Sequence, residues 1–246
     1  MLFLKTFTIH SVYLFYLKQF LHLTVQIRSN MNFLAHIYLS GEDEKLMVGN
    51  FIGDYVKGKN YENYPSPIRE GIILHRQVDS FTDSHPNFRN AKKLLVEEFG
   101  LYSGIVIDLF YDYFLAKNWN NYSDTTLKSF SRRTHAVLLS NFFYLPKRVQ
   151  GFLPFLIKNR RLESYATISG IYKSLETMSR YTSFPDKAEI AKRILVKNLH
   201  ILEENFTAFF PEIIGFVEKN YNVEIKKPDS TTTEPGSGFQ NIILRQ

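Results

Sequence analysis

The chain has no cysteine. That excludes a disulfide framework, a thiolate metal site and a cysteine nucleophile. It fits a reducing compartment, and the cytoplasm is the expected location. Tryptophan occurs once, and strand-like alternation of apolar and polar residues is scarce. Residues 31–222 contain neither an internal repeat nor a low-complexity stretch. The first 30 residues, "MLFLKTFTIHSVYLFYLKQFLHLTVQIRSN", lack an uninterrupted apolar span of roughly 20 residues, the length a membrane helix needs. Lys5, His10, Lys18 and His22 interrupt them, and no small-x-small cleavage site precedes Asn30. The segment reads as an upstream extension, with Met31 opening the functional domain. A signal peptide and an amphipathic surface helix are the competing readings. No stable membrane insertion is expected.

What is present points to a soluble helical protein. Hydrophobic residues make up 44% of the 246 residues and charged residues 22%, the proportions of a globular chain with a sizeable core. The formal net charge of +6 and a pI near 9.3 call for an anionic partner without choosing its kind. Helical periodicity dominates, with helices expected near 31–39, 43–57, 65–83, 87–98, 101–118, 123–139, 146–157, 163–179, 186–207 and 209–221. Gly41, Pro65, Pro67, Gly100 and the "SFPD" at Ser183–Asp186 punctuate them. The expected fold is all-α: one helical domain over 31–222, preceded by the extension 1–30 and followed by a flexible Pro/Gly/Ser/Thr-rich tail, 223–246.

Within these helices, charged residues stand where apolar ones are expected. In "GIVIDLFYDYFLAKNW", Asp108 and Asp112 lie within about 40° of each other on a helix that is apolar nearly all round. In "SPIREGIILHRQVDSFTDSHP", His75, Asp79 and Asp83 follow at i, i+4 and i+8, with Ile68 and Ile72 in the same sector and Arg69, Arg76 and Gln77 opposite. His36 in "MNFLAHIYL" and Asp54 in "MVGNFIGDYVKG" sit in similar apolar company. Taken singly, such a His is commonly a core residue bonded to a carbonyl, and an Asp pair can accept from a buried Arg. The N-cap role that often explains Asp does not apply to Asp108 and Asp112, which are mid-helix. Six buried His and Asp residues together need neutralising, and an O/N donor set without sulfur suits Mn, Mg or Fe. Such a metal activates water and neutralises phosphate charge, so a metal-dependent hydrolase is indicated.

The motifs "MNFLAHIYLS", "GNFIGDYVKG", "GIILHRQVDSFTDSHPNFR" and "DLFYDYFLAKNW" resemble, in order and spacing, those of the acyl carrier protein phosphodiesterases. The resemblance covers about 31–222 and is strongest over 31–119. It implies an all-helical, HD-like fold and a divalent cation, usually Mn. It implies hydrolysis of the phosphodiester joining 4′-phosphopantetheine to a serine of holo-acyl carrier protein, in lipid metabolism. Carried over by position, the metal-binding residues would be His36, Asp54, His75, Asp79, Asp108 and Asp112, with Asp83 and His85 as catalytic candidates. One departure is Tyr113, where family members often have His.

Two other function classes compete. An HD-like phosphohydrolase of a nucleotide or small phosphoester would keep the site and change the substrate. A basic helical binding protein would use "LPKRVQGFLPFLIKNRRLESY", whose Lys147, Arg148, Lys158, Arg160 and Arg161 stand among aromatics. That segment carries no recognised nucleic-acid motif. Lys147, Arg148, Arg160 and Arg161 are instead expected to receive the acidic carrier protein. A chain beginning at Met31 is expected to fold and keep its activity, checked by circular dichroism and turnover. Loss of folding on truncation would show that residues 1–30 are integral.

Overall fold

The computed structural model describes residues 33–228, so the extension 1–30 and the tail beyond 228 lie outside the described residues. The described residues form helices and 3₁₀ turns with no strand among them, and the all-α expectation holds. The α-helices, in chain order, are α1 (Phe33–Tyr38), α2 (Glu44–Ile52), α3 (Ser66–Ser84), α4 (Pro86–Lys93), α5 (Val96–Phe99) and α6 (Ser103–Lys117). There follow α7 (Leu127–Ser140), α8 (Lys147–Lys158), α9 (Arg161–Ser164), α10 (Ile168–Tyr181), α11 (Ala188–Lys197) and α12 (Leu199–Tyr221).

Local chemistry sets many of the boundaries. Asp43 caps α2 by accepting from the backbone N–H groups of Lys45 and Leu46. Thr126 and Thr167 do the same for α7 and α10. The helix expected over 43–57 stops at Ile52 and tightens into a 3₁₀ turn, Gly53–Tyr55, which carries Asp54. The expected break near 208 is absent: α12 runs through Pro211, and the chain breaks instead at Asn198, whose side-chain amide donates back to the Ile194 carbonyl at 2.9 Å. At the C-terminal end, Asn222 adopts the left-handed conformation that closes a helix. The chain then turns back, and Val223 and Ile225 are buried in the core.

Helix α6 is the central post. Eleven of its fifteen residues are buried, which is the physical meaning of its all-round apolar pattern. It is flanked by α1, α4, α10 and α12. The segment Val96–Lys117 is long and apolar enough to cross a membrane by composition, but 67% of its most apolar window is buried inside the protein. Aromatic rings fill the space between α6 and α12. Tyr111, Phe114, Phe206 and Phe209 pack with ring centroids 5.4–5.8 Å apart.

Helices α2 and α3 meet backbone to backbone. A Cβ built on Gly49 would lie 2.0 Å from the Ile68 carbonyl oxygen, and one on Gly71 would lie 2.2 Å from that of Leu46. Only paired glycines let the two backbones meet at this depth. One turn beyond, Gly53 faces the His75 ring, where a Cβ would come within 2.2 Å of Cγ. Gly71→Ala is therefore expected to destabilise by at least about 2 kcal/mol, because the clash is with backbone rather than with a movable side chain. Gly215, exposed in α12 with nothing within 4 Å of its Cβ position, provides the contrast. Gly215→Ala is expected to stabilise by about 0.5–1 kcal/mol through helix propensity. Urea denaturation midpoints of the two variants should move in opposite directions.

Candidate metal centre

The α2–α3 crossing brings two imidazoles face to face. His36 from α1 and His75 from α3 stack with ring centroids 4.1 Å apart, and both are buried. Asn50, from α2, holds the pair. Its Nδ2 donates to the His36 carbonyl at 2.6 Å and to Ser40 Oγ at 3.0 Å, which leaves Oδ1 to accept from His36 Nδ1 at 2.9 Å. The backbone carbonyl of the same residue accepts from His75 Nδ1 at 2.8 Å. A carbonyl oxygen cannot donate, so each ring carries a proton on Nδ1. Each Nε2 is then a free lone pair in the neutral imidazole.

Both lone pairs are aimed at carboxylates. His36 Nε2 lies 3.3 Å from Asp79 Oδ1; His75 Nε2 lies 3.3 Å from Asp79 Oδ2 and 3.4 Å from Asp54 Oδ1. Lone pair against carboxylate is repulsive unless a cation stands between them. His75 Nε2 is buried without an aligned hydrogen-bond partner, which suits it to bind a metal ion or a proton. Burial lowers the His75 pKa, but the Asp54 and Asp79 carboxylates outweigh it and push it up to about 10. For Asp79, burial acts upward, yet bonds from His36 and His75 hold the carboxyl well below the usual range.

The donor set fits a divalent cation. The ligand atoms of His36, His75 and Asp79 all lie within 4.8 Å of one another. Two donors 3.3 Å apart, each about 2.1 Å from one ion, subtend about 100° there, an ordinary coordination angle. Imidazole held through Nδ1 by a carbonyl or amide is the usual support for a metal ligand.

The remaining expected site residues have other positions. Asp54 adjoins the cluster through His75 and is partly buried. Asp108 is partly exposed; burial, then the charges of Asp79, Asp83, Asp112 and Asp54, hold its carboxyl well above the usual range. Asp112 was expected as a ligand and does something else. Its Oδ2 accepts from Leu34 N at 3.1 Å and its Oδ1 from Ala35 N at 2.9 Å. It caps α1 from another helix, so the argument against a capping role holds only for its own helix. Burial pushes Asp112 up to about 7 against the lowering effect of the Ala35 and Leu34 N–H groups. His85 is engaged away from the cluster. Its Nδ1 accepts from Asn87 N at 3.2 Å to cap α4, and its Nε2 faces Glu212 Oε2 at 3.2 Å. Asp83, two residues earlier, is exposed.

Among the expected docking residues, Arg161 is a correction. It is buried, and its guanidinium donates to Ser174 Oγ at 2.7 Å and Thr177 Oγ1 at 3.1 Å beneath Phe155. A side chain tied into the interior cannot receive a partner. Arg160 and Lys147 are exposed, and Arg148, half-buried, lies 5.9 Å over the Tyr55 ring. Asn50 is the residue that motif reading missed. The signal was present as a lone amide in the apolar run "MVGNFIG".

Three variants separate these roles. Asp79→Ala is expected to abolish tight binding of Mn, whereas Asn50→Ala, which removes no ligand, should weaken it by about 10–100-fold. Asp112→Ala should leave metal stoichiometry intact but cost about 1–3 kcal/mol, because two buried N–H groups lose their acceptor. Calorimetry gives the affinities, and chemical denaturation gives the stabilities. Protonation provides a further check. With its folded pKa raised from 6.5 to about 10, the stabilisation from His75 pairing is complete below 6.5 and lost as pH rises through 10. Metal must displace that proton, so binding at pH 7 should release it. Identical binding heats in buffers of different ionisation enthalpy would contradict this.

Comparison with known proteins identifies the family. A family model described as acyl carrier protein phosphodiesterase matches residues 31–213, a span that contains every residue of the cluster. The acyl carrier protein phosphodiesterase of Yersinia pestis is 31% identical over 187 residues, covering 75% of this chain and 96% of that protein. Those of Pectobacterium atrosepticum and Salmonella agona are 32% and 30% identical, with the same coverage of 75% and 96%. No solved structure matches the chain. With its family match and its relatives aligned over nearly their full length, the chain belongs to the acyl carrier protein phosphodiesterase family.

Proposed function

We propose that this protein hydrolyses the phosphodiester between 4′-phosphopantetheine and a serine of holo-acyl carrier protein, using a divalent cation, Mn in the first instance. The observation that carries the proposal is the pair of Asn50-anchored imidazoles whose Nε2 atoms converge with Asp79. Family membership supplies the substrate class. The absence of sulfur donors supports Mn, with Mg or Fe as alternatives.

His36, His75 and Asp79 would hold the cation, with Asp54 at the rim of the cluster. Bound there, a cation lowers the pKa of water and offsets charge on the phosphoryl oxygens. Asn50 keeps both imidazoles in the tautomer that presents Nε2. Asp54, beside His75, would accept a proton from the attacking water. As the water oxygen bonds to phosphorus, the bond to the serine oxygen breaks. That oxygen takes a proton and leaves as the hydroxyl of apo-carrier protein, and the phosphate departs with pantetheine. Asp108, whose carboxyl is biased toward the protonated form by burial and then by its acidic neighbours, is the proposed proton donor to that oxygen.

A pure binding module has no use for carboxylates converging on two buried imidazoles, which favours catalysis over binding. Incubation of the protein and Mn with holo-acyl carrier protein, followed by mass spectrometry, is expected to show loss of one phosphopantetheinyl group. Asp79→Ala should reduce kcat by at least about 100-fold, beyond what loss of a supporting bond costs. Turnover of nucleotides with an intact holo-carrier would instead establish the small-phosphoester reading.

A further inference from the structure

One corner of the surface is apolar in a way the candidate metal centre does not explain. The 3₁₀ turn Phe142–Tyr144 joins α7 to α8. At its middle, Phe143 is 93% exposed, with Leu139 at 54% and Tyr144 at 41% beside it in sequence. A phenylalanine ring left in water forgoes about 1.5–3 kcal/mol of burial, and aromatic side chains placed this way act as anchors at interfaces.

Cations surround the corner. Lys45, at the start of α2, donates to Asn141 and sits 5.1 Å over the Tyr144 ring. Lys147 is exposed at the first turn of α8, and Arg148 follows it. Arg148 links the corner to the centre: its guanidinium lies over Tyr55, the residue next to Asp54, which is 3.4 Å from His75 Nε2. Arg148, five residues after Phe143, thus reaches the residue beside Asp54 at the rim of the cluster.

We infer that this corner, anchored by Phe143 and edged by Lys45, Lys147 and Arg148, is the docking face for the acidic carrier protein. The inference rests on the proposed substrate. The chemistry of that substrate requires such a face close to the centre. The scissile phosphorus is bonded directly to the serine oxygen, with one methylene separating that oxygen from the carrier backbone. The carrier surface must therefore press against the site rim while the reaction proceeds. A face that combines one apolar anchor with cations fits an acidic partner carrying an exposed apolar side chain. Complementary charge would also speed the encounter.

The test compares Phe143→Ser and Lys147→Glu with the unmodified full chain, all loaded with Mn, against a purified bacterial holo-acyl carrier protein. Folding and metal content are measured in parallel. The expected result is a loss of at least tenfold in kcat/KM for each variant, carried by KM, with unchanged Mn stoichiometry and Tm. The Lys147→Glu loss should shrink as salt rises, since exposed charges are screened beyond about 10 Å at 0.1 M ionic strength. Unchanged kcat/KM in both variants overturns the docking face and leaves the proposed activity standing. A loss accompanied by a lower Tm or lost Mn overturns it too, by showing a structural role. Conversion of a dimer to a monomer by Phe143→Ser, with carrier kinetics unchanged, assigns the corner to a second copy of the chain. If the unmodified protein does not turn over the carrier at all, the proposed function fails, and this occupant fails with it.

Discussion

The contact between Gly49 and Gly71 is the constraint on which the rest of the site depends. Two helix backbones approach so closely there that neither position has room for a methyl group. This depth places His75 one turn beyond Gly71, against Gly53 and within reach of the Asn50 carbonyl. With a side chain at either glycine, α2 and α3 would separate. His75 would lose its bond to Asn50, and the stack with His36 would open. The sequence segments "GNFIGD" and "REGIILHRQVD" are therefore one mechanical unit in which small residues set distance and polar residues set direction.

Asn50 converts that packing into electrostatics. A buried amide must satisfy its donors and acceptors, and this one does so on His36, Ser40 and, through its own backbone carbonyl, His75. The consequence is two buried lone pairs facing two partly exposed carboxylates. The arrangement is unfavourable by itself and favourable around a positive charge. The raised pKa of His75 and the depressed one of Asp79 are the same fact seen with a proton in the gap. Family membership points to phosphodiester hydrolysis, and a cluster of this composition is compatible with a divalent cation.

Four aspartates spaced as two i, i+4 pairs end with different tasks. Asp79 joins the imidazoles, and Asp83, one turn on, is exposed. Asp108 feels the cluster's negative charge, whereas Asp112 spends both oxygens on the first turn of α1. The cap also serves the centre, because α1 carries His36. Asp112 thus supports a candidate ligand by capping the helix that carries it, a role that spacing along its own helix does not reveal.

Much of this protein was determined by the sequence itself. Period-3.6 apolar patterning and scarce alternation make an all-α fold, and the all-round apolar character of residues 104–116 makes α6 a core helix, because no solvent-facing side is left. His36, His75 and Asp79 were legible as ligand candidates because imidazole and carboxylate groups in apolar surroundings demand a cation. Only the tertiary structure decided which members of that inventory meet. Convergence depends on the α2–α3 distance, which is a property of two glycines rather than of any charged residue. The capping of α1 by Asp112 and the burial of Arg161 under Phe155 join segments remote in the chain or in separate helices, and helical periodicity carries no information beyond its own helix. Spacing along a helix reports direction about one axis; the relation between axes is set by packing.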